Sequence, residues 1–191
     1  MSRHIIKFLL VSIVFIFSNL SFAEPTVISW GDLSPTNGQE AKINLNKNTE
    51  IIGVPNISEF NGSKEELDNF LDNMKSMKEM QGKSGLINMD LNNKEIKIAG
   101  YIAPIAFDGD NVTEFLLVPY HGACIHVPPP PANQIIYVKS ASGLKAEEIW
   151  YPVWITGVLH ANSVSTIVAD VGYTIKEASV TPYRTGLGLF D

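Results

Sequence analysis

The sequence predicts a mainly β protein with an N-terminal helix, α+β in class, whose β part is a small OB-like five-stranded barrel. Three observations carry that prediction. Short alternating runs of β-branched and aromatic residues recur from Leu91 onward, each closed by a proline, a glycine or a turn cluster. A single strong helix signature precedes them. A glycine lies inside the first run and another inside the fourth, where a closing sheet needs sharp curvature. A β-sandwich is the alternative architecture.

Taken in order, Met1–Lys7 carries Arg3 and Lys7 and no acid, Phe8–Phe17 is almost wholly apolar, and Ser21-Phe22-Ala23 places small residues where a signal peptidase reads. Residues 1–23 therefore read as a secretory signal peptide, and the apolar stretch is short for a membrane span. No cysteine lies near the cleavage point, so lipoprotein processing is not expected. The expected location is the periplasm.

Residues 24–90 read as an N-terminal extension. Trp30-Gly31-Asp32-Leu33 is expected to anchor it by burying the indole. Ser63-Lys64-Glu65-Glu66 is a capping box. Leu67, Phe70, Leu71, Met74 and Met77 then recur at helical spacing, which predicts a helix over 64–80. The methionines at 74, 77 and 80 read as apolar face rather than as a thioether copper box.

Residues 91–191 read as the β domain. The predicted strands are Glu95–Ile102, ending at Pro104; Thr113–Val118, after the turn Phe107-Asp108-Gly109-Asp110-Asn111; Gln134–Lys139; Val153–His160, with Gly157 at a bulge; and Tyr173–Val180. A short helix is expected from Leu144 to Trp150, and a helical turn in Asn162–Asp170.

The chain holds 14 basic and 20 acidic residues for a formal net charge of −6. Removing residues 1–23 makes it more acidic, which argues against nucleic acid and anionic membrane surfaces as partners. Its one cysteine excludes an internal disulfide. An exported lone thiol must be buried, ligated or used, because exposure invites oxidation.

That thiol is Cys124, in His121-Gly122-Ala123-Cys124-Ile125-His126-Val127, followed by Pro128–Pro131. Sulfur and imidazole within six residues are donors that suit zinc first and copper second. Two ligands of one tight loop need help, and His160, at the end of a predicted strand, or His121 would supply it. Three ligands with an open position suit transfer, sensing or hydrolysis; four suit a structural site. The alternative chemistry is a cysteine-dependent enzyme using Cys124 with His126 or His160 and Asn133 as orienter. A Rieske cluster needs a second cysteine and is excluded. No phosphate loop, serine elbow or paired-carboxylate motif marks an enzyme. A third reading makes Pro128–Pro131, flanked by Tyr120 and Tyr137, a polyproline face for a partner.

The run Gly122-Ala123-Cys124-Ile125-His126-Val127-Pro128-Pro129-Pro130-Pro131-Ala132-Asn133-Gln134 resembles the signature of an uncharacterised exported bacterial family, a domain of unknown function. Gly100-Tyr101, Phe115-Leu116-Leu117-Val118-Pro119 and Gly157-Val158-Leu159 extend the resemblance over roughly Leu91–Val180. An aromatic often stands at the place of His121 in that pattern, which makes His121 the ligand least carried by the motif. The resemblance implies an exported protein, some of whose relatives are encoded beside zinc-regulated transporter genes. The function expected from the whole is a soluble periplasmic metal-binding accessory in zinc homeostasis or transport, with a membrane transporter component as partner.

Overall fold

Strand β5, Lys94–Asp108, is long enough to serve several neighbours, and the main sheet is built around it. This is seen in a computed structural model that describes residues 24–35, 40–42, 51–52, 62–81, 85–124 and 127–184. Residues 1–23, read above as a signal peptide, lie outside the described residues, as does His126.

Ile96, Ile98 and Ile102 alternate inward along β5 and are buried, as a two-residue period requires. The tight turn at Gly109, whose φ of +57° favours glycine, returns the chain as β6, Asn111–Val118, antiparallel to the second half of β5. β6 pairs antiparallel with β7, Ile136–Lys145. β7 pairs parallel with β11, Tyr173–Pro182. β11 pairs antiparallel with β8, Val153–His160, which pairs antiparallel with the first half of β5. The pairings thus run in a circuit from β5 through β6, β7, β11 and β8 back to β5. Two short sheets flank it, β2 (Glu40–Lys42) with β4 (Leu86–Asn88), and β3 (Ile51–Ile52) with β9 (Val164–Thr166) and β10 (Asp170–Val171).

The N-terminal arm joins the sheet directly. β1, Thr26–Val27, lies parallel to β5. Trp30 donates from Nε1 to the Ala99 carbonyl at 2.8 Å, and Leu33 is fully buried. The indole rests where Gly100 has no side chain: a Cβ there would stand 2.8 Å from Trp30 Cζ2 and 2.8 Å from the Val118 carbonyl. The expected anchor is therefore real, and a glycine makes room for it.

Two cores result. Ile96, Ile98, Phe115, Leu117, Ile136, Val138, Ile155, Leu159, Tyr173 and Ile175 belong to the first. Leu116, Val118, Ala123, Cys124, Ile135, Tyr137, Ala169 and Val171 form the second. β6 feeds both, because successive side chains point to opposite faces.

Several sequence expectations are corrected. β5 does not end at Pro104 but runs through it, with the register shifting between Pro104 and Ala106; an irregular step tolerates a residue that cannot donate. β7 continues to Lys145, so the helix expected from Leu144 shrinks to one 3-10 turn at Ala146–Glu148. The bulge lies on β11 rather than at Gly157: between Ile175 and Ser179, opposite Leu159 and Thr156, β11 carries the extra residue, with Glu177 at φ 55°. Gly157 serves differently, since a Cβ there would press on Ile175 Cγ2 at 2.6 Å. Residues 164–171 are a β-hairpin, not a helical turn. The β-branched Val164 and Thr166 favour strand, and Thr166 Oγ1 closes the turn with both backbone groups of Ala169.

The helix, α1, spans Lys64–Glu79 with the capping box in place: Ser63 Oγ accepts from Glu66 N at 3.2 Å and Ser63 N donates to Glu66 Oε2 at 2.7 Å. Only Leu67 of this helix is buried, and Phe70 is 40% exposed.

Tyr173 ties the sheet to the arm. Its hydroxyl donates to the Leu33 carbonyl at 2.6 Å and accepts from Asn88 N at 2.6 Å, in full burial. Tyr173→Phe leaves both backbone groups without that partner, and the expected loss is about 2–4 kcal/mol. Urea unfolding checks this: the midpoint should fall with the slope unchanged, and a loss below about 0.5 kcal/mol would refute the assignment.

Candidate functional site: the Cys124 turn

The turn that leaves β6 owes its shape to two left-handed residues. Gly122 has φ 82° and Cys124 φ 66°. Glycine accepts that conformation freely; a cysteine is strained there by roughly 1–2 kcal/mol. The surroundings hold it: Cys124 N donates to the Val127 carbonyl at 3.2 Å and Val127 N to the Gly122 carbonyl at 3.3 Å. The thiol is 2% exposed and sits in the second core with Ala123, Ile135, Ala169 and Val171. Burial pushes it up to about 12, so the fold holds it protonated.

The segment that follows fixes the turn in place. Pro129 and Pro130 are buried. Having no N–H, the prolines offer only carbonyls: Pro130 O accepts from Gln81 Nε2 at 3.0 Å and Pro131 O from Gln134 N at 2.7 Å. Ala132 O accepts from Gly172 N at 2.7 Å. Asn133 Nδ2 donates to the Leu86 carbonyl at 3.0 Å and to Ser34 Oγ at 3.2 Å, and Gln134 Nε2 to the Trp30 carbonyl at 3.1 Å. The rod and the residues after it thus knit the arm, β4 and β10 together.

The expected site residues are distributed as follows. His121 is exposed on the same turn as Cys124; its ring meets Tyr101 edge-on at 5.7 Å and lies 6.3 Å from the ring of Trp150. His160 ends β8, where its Nδ1 lies 2.9 Å from Asn93 Oδ1. With Asn93 Oδ1 as the acceptor, the ring donates from Nδ1 and its Nε2 takes no part in that contact. Leu159 beside it packs in the first core and Cys124 in the second. Among the described residues, no three His, Cys, Asp or Glu side chains are grouped to hold an ion, so His121, Cys124 and His160 do not by themselves form such a group.

For nucleophilic catalysis the turn is poorly arranged. A thiol attacks as thiolate, and this one is buried among apolar groups with its acidity suppressed. Asn133, the expected orienter, is committed to Leu86 and Ser34. The polyproline surface is likewise altered: Pro129 and Pro130 face inward, and Tyr137 is 7% exposed with its hydroxyl donating to Glu114 at 2.6 Å.

Residues that the sequence did not mark stand close to this turn. Gln81 and Lys78, at the end of α1, bond residues of the β9–β10 hairpin, and Gln81 also reaches Pro130. Their partners lie 49 to 92 residues away, so no local pattern reveals them.

The architecture is that of a mainly β, α+β protein with a buried thiol turn after β6. The chain belongs to the family described as "Protein of unknown function (DUF3299)", whose profile matches residues 30–182. It is similar to a crystal structure of a DUF3299 family protein from Pseudomonas aeruginosa PAO1, solved at 2.45 Å resolution. Sequence identity is 32%, the match covers 85% of this chain and 99% of that one, and the TM-score is 0.62. No curated protein matches the chain.

The thiol's suppressed acidity has a sign that can be measured. Its pKa is raised in the fold, so the stability it contributes is complete below about pH 9 and is lost as pH rises toward about 12. Cys124→Ala should therefore flatten the decline of the urea midpoint between pH 9 and pH 11. An identical decline in both proteins would show that Cys124 ionises as freely in the fold as outside it.

Proposed function

We propose that this chain is an exported, periplasmic metal-binding accessory protein that serves zinc homeostasis or transport. Zinc is the favoured ion and copper the second choice. The ligands are Cys124 and His126, helped by His121 or His160. The observation that carries the reading is a free thiol held in a constrained left-handed turn, with imidazole residues three positions before it and two after it. Such a turn reduces the freedom lost when ligands converge. His121 is the stronger third ligand by its place on the turn. The Asn93 contact at His160 Nδ1 is the kind that orients a ligating imidazole and leaves Nε2 available. Around this site the five-strand circuit is read as an OB-like barrel, supported by its single closed sequence of pairings. A transporter component is the partner we read from the gene context that the family resemblance implies for some relatives.

The fit of the site to a metal rests on donor type. Cys124 would hold the ion through Sγ as thiolate, and the imidazoles through neutral nitrogen. A bound cation supplies the charge that stabilises a thiolate, which apolar burial alone does not. Uptake must then release the thiol proton, so apparent affinity should rise with pH across the neutral range.

Purified mature protein is expected to retain about one equivalent of zinc after mild dialysis, measured by elemental analysis, and Cys124→Ser is expected to abolish it. His126→Ala should weaken retention more than His160→Ala does. Failure of the reduced, unmodified protein to take up zinc or copper would overturn the proposal.

A further inference from the structure

The β9–β10 hairpin contributes side chains to the second core. Ala169 and Val171 are buried in the same cluster as Ala123 and Cys124, with Val164, Val168 and Ile52 packed at its margin. β9 and β10 are short, and their attachment to the last turn of α1 is polar. Lys78 Nζ donates to Asp170 Oδ1 at 2.8 Å, to Ser165 Oγ at 2.5 Å and to the Thr166 carbonyl at 2.9 Å, which uses all three of its protons. Gln81 Nε2 donates to the Asp170 carbonyl at 2.8 Å, and Gln81 Oε1 accepts from Asp170 N at 2.8 Å, as a neighbouring strand would. The second Nε2 proton goes to Pro130 O, in the rod that follows the Cys124 turn. One side chain therefore joins the hairpin to the cysteine loop.

We propose that Lys78 and Gln81 form a latch that holds the β9–β10 hairpin over Cys124, and that its release admits solutes to the thiol. Leu67 is the one buried residue of α1, so the apolar contribution of the helix is small. Lys78 and Asp170 keep 24% and 27% exposure, and partly solvated ion pairs are weak individually. An element held this way opens locally at lower cost than the sheet beneath it unfolds. As regulation of a metal site the latch rests on the function proposed above; as a gate on Cys124 it does not.

The test is alkylation of Cys124 by iodoacetamide in the full chain, metal-free, near pH 8. Lys78→Ala combined with Gln81→Ala should raise the rate tenfold or more without moving the melting of the sheet. Lys78→Arg with Gln81 intact should stay near the original rate. So should Lys139→Ala, which removes an exposed partner of Glu114 elsewhere on the same sheet. An unchanged rate in the double variant, or an equal rise in Lys139→Ala, overturns the latch.

If the double variant does not fold, the unmodified protein decides. Alkylation and amide exchange at Thr166 and Asp170 should share one shallow dependence on denaturant, against a steeper one at Val138 and Ile155. Alkylation that follows the steep dependence overturns the proposal. No metal enters either measurement, so a protein that takes up no zinc yet shows gated alkylation keeps the latch and loses only the metal reading.

Discussion

β6 is buried on both faces, and a strand in that position obliges the chain to build cover on both sides. Phe115 and Leu117 face the first core; Leu116 and Val118 face the second. The circuit of β5, β7, β8 and β11 accounts for the first face. The other needs the Cys124 turn, the residues after the proline rod, and the β9–β10 hairpin. Loops normally run over the surface because they cannot satisfy their own backbone groups. Here a loop is drawn into a core, so each of its polar groups requires a named partner.

The four prolines ease that requirement. A segment without N–H groups has only carbonyls to satisfy, and its stiffness keeps them where acceptors are wanted. Gln81 and Gln134 donate to them. Glycines then allow close approach from the other side. At Gly172 a Cβ would stand 2.9 Å from the Ala132 carbonyl that accepts its N–H, and at Gly85 a Cβ would collide with the Asn133 side chain. The rod is thus a junction between arm, sheet and hairpin, consistent with the inward position of Pro129 and Pro130.

What the sequence discloses and what it hides divide along the range of the interactions. The capping box at Ser63 and the bounds of β8, Val153–His160, are local facts and appear as read. Trp30 as an anchor is legible because a lone indole in an irregular arm needs burial. Pro104 misleads, since a proline stops a strand only where its missing donor would be needed. The β9–β10 hairpin is hidden by its brevity, and the roles of Lys78 and Gln81 by partners across the chain. At the site, Cys124 and the nearby histidines are marked by residue type. The burial of the thiol is not, because the cluster it joins draws on residues as far along the sequence as Ala169 and Val171.

Burial and acidity at Cys124 have one cause. The apolar cover that blocks approach to the thiol is the same cover that denies its anion solvation and pushes it up to about 12. A movement that opened that cover would let water reach Sγ and return it toward its ordinary value near 9. Access and ionisation therefore change together. A closed turn is protected from oxidants by exclusion and by protonation at once, because the thiolate is the reactive form. On the metal reading proposed above, an open turn would offer a soft, ionisable donor, and a cation arriving there would itself stabilise the thiolate as the cover returns. The polar bonds of Lys78 and Gln81 would then govern whether the thiol is inert or able to bind, although neither residue is itself a ligand.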